Sequence, residues 1–378
     1  MKNPKLAWRS ARTTITSVLL LAPTLLVAQI DDERIKAVAL NLENAVKDGD
    51  AALFTAQMNA DALFSDALSD LPATAQKGKF LESLKTEDFS SLAGGMSAMV
   101  KNGGTYKWTG LVTREEERRA IMRFDGPNGL IYHELSFTPE GKIDEIYFCS
   151  DGTSLGETYR DGFIDVAKKH GLTDVVGPKA NTLFDDMTTV QAAQETDDVD
   201  LALTMLATLS PDGKKRRSWM MSALDLSVAS EDPEDFKKQW AYHQKTFPND
   251  AGATLTGFFY FLEAGELEAA MQQVDALDKI VGGDDYLDMF RGNVLLAEDD
   301  WENAIKKFSA AARAIPESVD PLIGLFDALV ALERVDKAVN VLKFMDKKHG
   351  VSITDRYLRA DEMYADLLGS DAYKTYRP

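Results

Sequence analysis

The feature that most restricts what this chain can fold into is a 34-residue period in its second half. Ala270, Ala304 and Ala338 stand 34 positions apart, as do Val274, Phe308 and Leu342, and again Leu277, Ala311 and Met345. Upstream in the same frames come Phe258, Gly292 and Phe326, then Phe261, Leu295 and Leu329. A unit of this length is too small to bury its own apolar face, so successive copies must stack. The pattern predicts two antiparallel helices per copy. Ala304 or Gly292 lets the backbones approach while Phe308 fills the adjoining space. The best copies span 251–284, 285–318 and 319–352, and three is near the minimum for a stable stack. The frame weakens backward to about residue 183. Trp240 and Pro248 keep their places, bulky Phe236 stands where a small residue is expected, and Ala202, Leu206 and Leu209 fit one copy earlier. After the repeats (183–350), Tyr357, Met363 and Leu367 predict a capping helix and tail over 353–378.

The run Gly292-x-x-Leu295, Ala304-x-x-x-Phe308 and Pro316 resembles the tetratricopeptide repeat, although Asp288 and Arg291 replace the usual aromatic and leucine. The resemblance implies an all-α helical stack whose first helices line a groove for a protein or peptide. Carried over by register, the groove-facing positions are Leu255, Phe259, Leu262, Tyr286, Met289, Asn293, Leu296, Ile323, Asp327 and Val330. Phe259, Tyr286, Met289, Asn293 and Asp327 are the expected partner-binding residues. In clamp-type members that hold a C-terminal carboxylate, lysines and a second asparagine flank the groove asparagine. Asn293 has Met289 one turn before it, so no such clamp is expected.

Residues 29–175 read as an α+β domain. Ile35, Val38, Leu42 and Val46 share a helical face. Asp48-Gly49-Asp50 stops that helix and caps the next, which carries Ala51, Leu53, Phe54 and Met58. A stretch with Gly94-Gly95 and Gly103-Gly104 follows. Strands are then predicted at 105–113, 118–124, 130–137 and 143–149, punctuated by the turn residues Asp125 to Gly129 and Pro139 to Lys142. In the third, Ile131, His133, Leu135 and Phe137 alternate with Tyr132, Glu134 and Ser136. A helix over 154–170 ends at Gly171. Gly171, Gly177 and Pro178 mark the boundary with the repeats. Two helices before a four-strand antiparallel meander resemble the ketosteroid-isomerase and nuclear-transport-factor-like α+β cone. That resemblance is one of element order, and it implies a bent sheet around a possible pocket. The expected whole is therefore a cone-like α+β domain followed by a mostly helical repeat stack.

The first 28 residues read as a leader. Lys2, Lys5, Arg9 and Arg12 precede an apolar run from Ile15 to Ala28, interrupted by Pro23 and short for a bilayer span, which needs ~20 residues. A Sec-type signal peptide cut after Ala28 predicts a periplasmic or secreted bacterial protein with no stable membrane anchor; an uncleaved anchor is the alternative. No cysteine follows the run, so a lipid anchor is not expected, and Arg9 and Arg12 are not adjacent as a twin-arginine signal requires.

Charge then narrows the function. The chain carries 61 Asp and Glu against 42 Lys and Arg, a net −19. Nucleic-acid binding needs basic stripes and is not expected. A lone Cys149, in an apolar strand pattern, rules out a disulfide scaffold and cysteine-based metal sites, and reads as a buried hydrophobe. The four histidines have no metal-ligand spacing, and no metal or cofactor is expected. One cationic run, Lys214-Lys215-Arg216-Arg217, could dock an acidic partner or an anionic lipid, but four adjacent cations are commonly a solvated surface.

Two functions remain. The first is a non-catalytic scaffold or adaptor that binds a protein or peptide through the repeat groove. The second is a small-molecule binder or enzyme using a pocket in the α+β domain, where His133, Tyr147 and Asp151 are the candidate acids and bases. No nucleophile motif, phosphate loop or metal cluster accompanies them.

Overall fold

The computed structural model describes residues 30–85, 88–126, 129–171, 173–230 and 232–377. The expected leader, 1–28, and the turn residues 127 and 128 lie outside them.

Helix α1 (Asp32–Asp48) begins where the Asp31 carboxylate accepts the Arg34 N–H, and ends at Gly49 in the left-handed region. Asp50 then caps α2 (Ala51–Gln57) by accepting the Leu53 N–H at 2.9 Å. The glycine-bearing stretch that follows folds as three helices, α3 (Ala60–Ala67), α4 (Ala75–Leu84) and α5 (Ser90–Lys101). Gly94 and Gly95 lie inside α5, because packing of Ala93 and Met96 outweighs the low helix propensity of glycine there. The strands are β1 (Thr105–Arg114), β2 (Glu117–Gly126), β3 (Gly129–Phe137), β4 (Ile143–Phe148) and the two-residue β5 (Thr153–Ser154), all antiparallel in meander order. A capping box of Ser154 and Glu157 starts α6 (Leu155–Lys169).

Strand alternation sends the two faces of this sheet to different cores. Ala120, Met122, Phe124, Leu135 and Ile146 close on α1, α2 and α5. Val112, Ile121, Leu130, Tyr132 and Cys149 point the other way, into the core of the repeats.

The helical half begins with α7 (Thr173–Glu195), broken at Gly177 and Pro178, and continues through α8 (Val199–Ala207), α9 (Arg217–Val228) and α10 (Pro233–Thr246). The three best copies are the pairs α11 (Ala251–Glu263) with α12 (Leu267–Val281), α13 (Leu287–Ala297) with α14 (Trp301–Ala314), and α15 (Asp320–Ala331) with α16 (Val335–His349). Ala270, Ala304, Ala338, Phe308 and Leu277 are buried, as the period requires. A Cβ on Gly292 would come within 2.7 Å of the Phe308 ring, so the small residue permits this helix crossing. The departures from the repeat signature have a partner each. Arg291 on α13 bridges Asp275 at 3.0 Å, Asp278 at 2.7 Å and Asp288 at 3.2 Å, and Lys307 reaches Asp288 at 3.0 Å. An ion-pair network therefore stands at these two positions.

The end of the stack is closed by short helices α17 (Asp355–Leu358), α18 (Ala365–Gly369) and α19 (Asp371–Tyr376) rather than by one. Leu367 is buried as expected. Leu358 and Tyr364 are buried with it, whereas Tyr357 and Met363 face solvent.

Candidate functional site

The outer face of the sheet rides along the turns that join successive repeats. In the first turn of α11 the chain approaches so closely that a Cβ on Gly252 would collide with the Cys149 carbonyl; only glycine fits there. At the turn between α12 and α13, the Arg114 guanidinium donates to the Ile280 carbonyl at 2.5 Å. Arg123 Nη1 donates to Asp284 Oδ1 at 2.6 Å, and the Tyr132 hydroxyl donates to Asp284 Oδ2 at 2.8 Å. At the turn between α14 and α15, Lys107 pairs with Glu317. Asp250 and Asp284 hold the same place in successive copies, and each lies beside an arginine, Arg217 and Arg123.

This docking changes the groove. Tyr286 is 5% exposed and Met289 7%. Both belong to the core that the sheet and the repeats share, and the Arg123 guanidinium lies 4.8 Å from the Tyr286 ring centroid. An open, partner-facing position for these two is thus corrected: the chain's own sheet occupies that end. Asn293 and Asp327 are half-buried on the same face. Asp327 accepts the Tyr364 hydroxyl at 2.8 Å from the end cap. Burial pushes its carboxyl up to about 6, against that hydrogen bond. Phe259 is 44% exposed, its ring edge-on to Phe290 at 5.5 Å. Around it Leu255, Leu262 and Leu296 are half-buried, which leaves an apolar strip with polar flanks.

His133, Tyr147 and Asp151 are not brought together. His133 points inward, between Tyr106 and Phe148, with the Tyr106 hydroxyl 3.4 Å from Nδ1. Burial holds its imidazole down to about 4, so it is neutral at pH 7. Tyr147 lies on the opposite face of the sheet, its ring 4.2 Å from the Arg217 guanidinium. Asp151 is exposed and accepts the Ser150 hydroxyl. Cys149 is buried, and burial raises its thiol well above the usual range, which leaves it inert as a thiolate. Among the described residues no group of three His, Cys, Asp or Glu side chains is placed to hold a metal ion, and no helix is long and apolar enough to cross a membrane.

The basic run separates into two roles. Arg216 makes a forked pair with Asp161 at 2.9 and 2.8 Å and covers Trp219. Arg217 enters a cleft of about 420 Å3 between the sheet and the turn before α11, with Arg114, Arg119, Glu134 and Asp250. Sequence reasoning missed this junction. The outward set on β2, Arg119, Ile121, Arg123 and Asp125, is three-quarters charged and reads locally as a half-solvated face.

The tetratricopeptide repeat family model matches residues 295–349. No curated protein and no solved structure matches the chain. Such repeats generally bind proteins or peptides and are typically non-catalytic, and the match suggests a protein–protein interaction scaffold.

Proposed function

We propose that this chain is an exported scaffold or adaptor that holds a protein or peptide on the part of the repeat groove its sheet leaves open. The observation that carries this reading is Phe259. A large aromatic side chain stands exposed on a first helix of the stack, backed by Phe290 and ringed by half-buried leucines. A rigid apolar anchor of this kind, with polar neighbours such as Asn293, is the usual composition of a binding hot spot. Repeat stacks present such surfaces to extended or helical peptides. The covered end of the groove shortens the docking strip, which favours a short segment over a long one. The acidic surface, net −19, disfavours nucleic acid as partner. The basic and apolar first 28 residues support export to the periplasm or beyond, and the sheet closing on α1, α2 and α5 supports a cone-like α+β domain.

Two measurements test this. The chain is recovered from the exporting cell and sequenced from its N-terminus; a start at or near Gln29 is expected, and a chain that keeps Lys2 would sink the cleaved-leader reading in favour of an uncleaved anchor. Displayed peptides are selected on the purified chain, then measured against Phe259→Ala and, as an outlying control on α6, Val166→Ala. Truncating the anchor is expected to weaken binding by ~30-fold, from the ~2 kcal/mol typical of a hot spot. Binding that survives Phe259→Ala but not Val166→Ala would move the docking surface to the α+β domain.

A further inference from the structure

The cleft that receives Arg217 has more donors than its acids use. Three arginines line it, Arg114 and Arg119 from the sheet and Arg217 from α9, facing Glu134 and Asp250. Both of these acids already have partners. Glu134 accepts from Arg114 at 3.1 Å. Asp250 caps α11 through the Ala253 N–H at 3.2 Å, and its other oxygen lies 3.0 Å from His243 Nε2. That leaves two cations underused. Arg119 comes only to 3.5 Å from Glu134 and 3.6 Å from Glu117, and its Nε is buried with no hydrogen-bond partner. Arg217 comes only to 3.8 Å from Asp250, and its guanidinium makes no hydrogen bond among the described residues. It is held flat instead, 4.2 Å from the Tyr147 ring centroid and 5.5 Å from that of Phe247. Stacking of this kind fixes the plane of the fork and leaves its N–H edge available.

We propose that this junction between the sheet and the turn Thr246–Asp250 is a binding site for a singly charged carboxylate, gripped by Arg217 and Arg119. Planar forks of N–H donors match a planar carboxylate in two-point contact. Charge selects the valence. With Glu115 at the rim, three arginines meet three acids, so the lining is neutral in sum. A phosphate dianion would meet no net positive field there, while a single negative charge satisfies the unused donors at lower electrostatic cost. The site lies outside the repeat groove and does not depend on the peptide-binding reading. The carboxylate is either a free small acid or the glutamate or aspartate side chain of a partner.

The test follows the arginine Nε–Hε resonances of the full chain by NMR during titration. The probes are propionate against propionamide, and a blocked tetrapeptide with one central glutamate against its glutamine counterpart. Propionate or the glutamate peptide is expected to shift the Arg217 and Arg119 signals, while the amides leave them in place. Response to propionate assigns a free acid, and response to the peptide alone assigns a partner's side chain. Arg217→Gln should weaken the response by about ten- to hundredfold, the range for losing a charge-assisted fork. Arg118→Gln, whose parent side chain pairs with Asp32 outside the cleft, should not. The proposal falls if neither carboxylate moves these signals up to about 50 mM, a free energy too small for a built site. It falls equally if Arg217→Gln, melting like the parent, binds as well as the parent, or if inorganic phosphate binds more tightly than propionate.

Discussion

Removing Asp284 tests whether the sheet and the repeats are one cooperative structure. The Arg123 and Asp284 side chains are only 4% and 3% exposed, and they meet across the junction at 2.6 Å. Asp284 also accepts the Tyr132 hydroxyl at 2.8 Å and the Tyr286 N–H at 3.0 Å. Asp284→Ala therefore deletes three acceptor contacts and leaves a guanidinium buried beside a single carboxylate. That carboxylate, Asp125, is 3.3 Å from Arg123 Nε with poor alignment, since neither atom counts a hydrogen bond. Each hydrogen bond to a charged group contributes about 1.5–3 kcal/mol, but the three share one acceptor and do not add fully. Breaking a buried pair from one side costs about 3–5 kcal/mol, and that range is expected here. Arg123→Met with Asp284→Leu removes both charges and should cost less, the remaining cost coming from Asp125, which loses its arginine. Urea unfolding followed by far-ultraviolet circular dichroism and tryptophan fluorescence measures both. A cost below about 1 kcal/mol for Asp284→Ala would mean that the sheet is not seated on these turns, and the account of the covered groove would fail with it.

Tyr286→Ala should destabilise by about 3–5 kcal/mol and Met289→Ala by about 2–5, since both are buried, whereas Phe259→Ala should cost little; equal melting temperatures across the three would refute the burial pattern. Ala304→Leu should overpack the helix contact at a fully buried alanine and cost about 1–3 kcal/mol; a parent-like melt would place Ala304 at the surface. Asp327 carries a carboxyl raised to about 6, so the folded state binds a proton that the unfolded state has released. Its contribution is present below the unfolded value near 4 and is lost as pH rises through about 6. Relative to Asp327→Asn, the parent should lose on the order of 1 kcal/mol between pH 4.5 and 7.5; parallel profiles would contradict the shift. His133 works the other way. Its pKa is lowered to about 4, so its stability is present above the unfolded value near 6.5 and drains as pH falls toward 4. A glutamine there, judged against the parent, should flatten that acid limb, and an unchanged limb would argue that His133 is solvated.

How much of this was legible beforehand depends on the range of the interaction. The 34-residue period placed Ala304, Phe308 and Leu277 in the core because each copy repeats the same local packing problem, and periodicity reports such problems directly. The Asp48-Gly49-Asp50 junction and the strand bounds were readable for a similar reason: caps and alternation are set by residues within a few positions of each other. Helix α5 was not readable, because the glycines inside it mask a pattern that packing rescues.

The candidate site divides along the same line. Register along the first helices put Phe259, Asn293 and Asp327 on the groove face, and the same register put Tyr286 and Met289 there too. What covers the last two comes from more than 150 positions upstream, on strands whose outward residues looked half-solvated. Glu134 and Arg123 on a strand face suggest water when only neighbours in sequence are considered. Arg123 is buried because Asp284 supplies a partner across the junction, and Glu134 because Arg114, itself tied to the Ile280 carbonyl, pairs with it there. In the same way four adjacent cations look alike along the chain, yet Arg216 is neutralised by Asp161 while Arg217 stacks between aromatic rings from the two halves. Local spacing sets the elements and their apolar faces. Which face meets solvent and which meets another element depends on charge pairs and close backbone approaches formed across the fold.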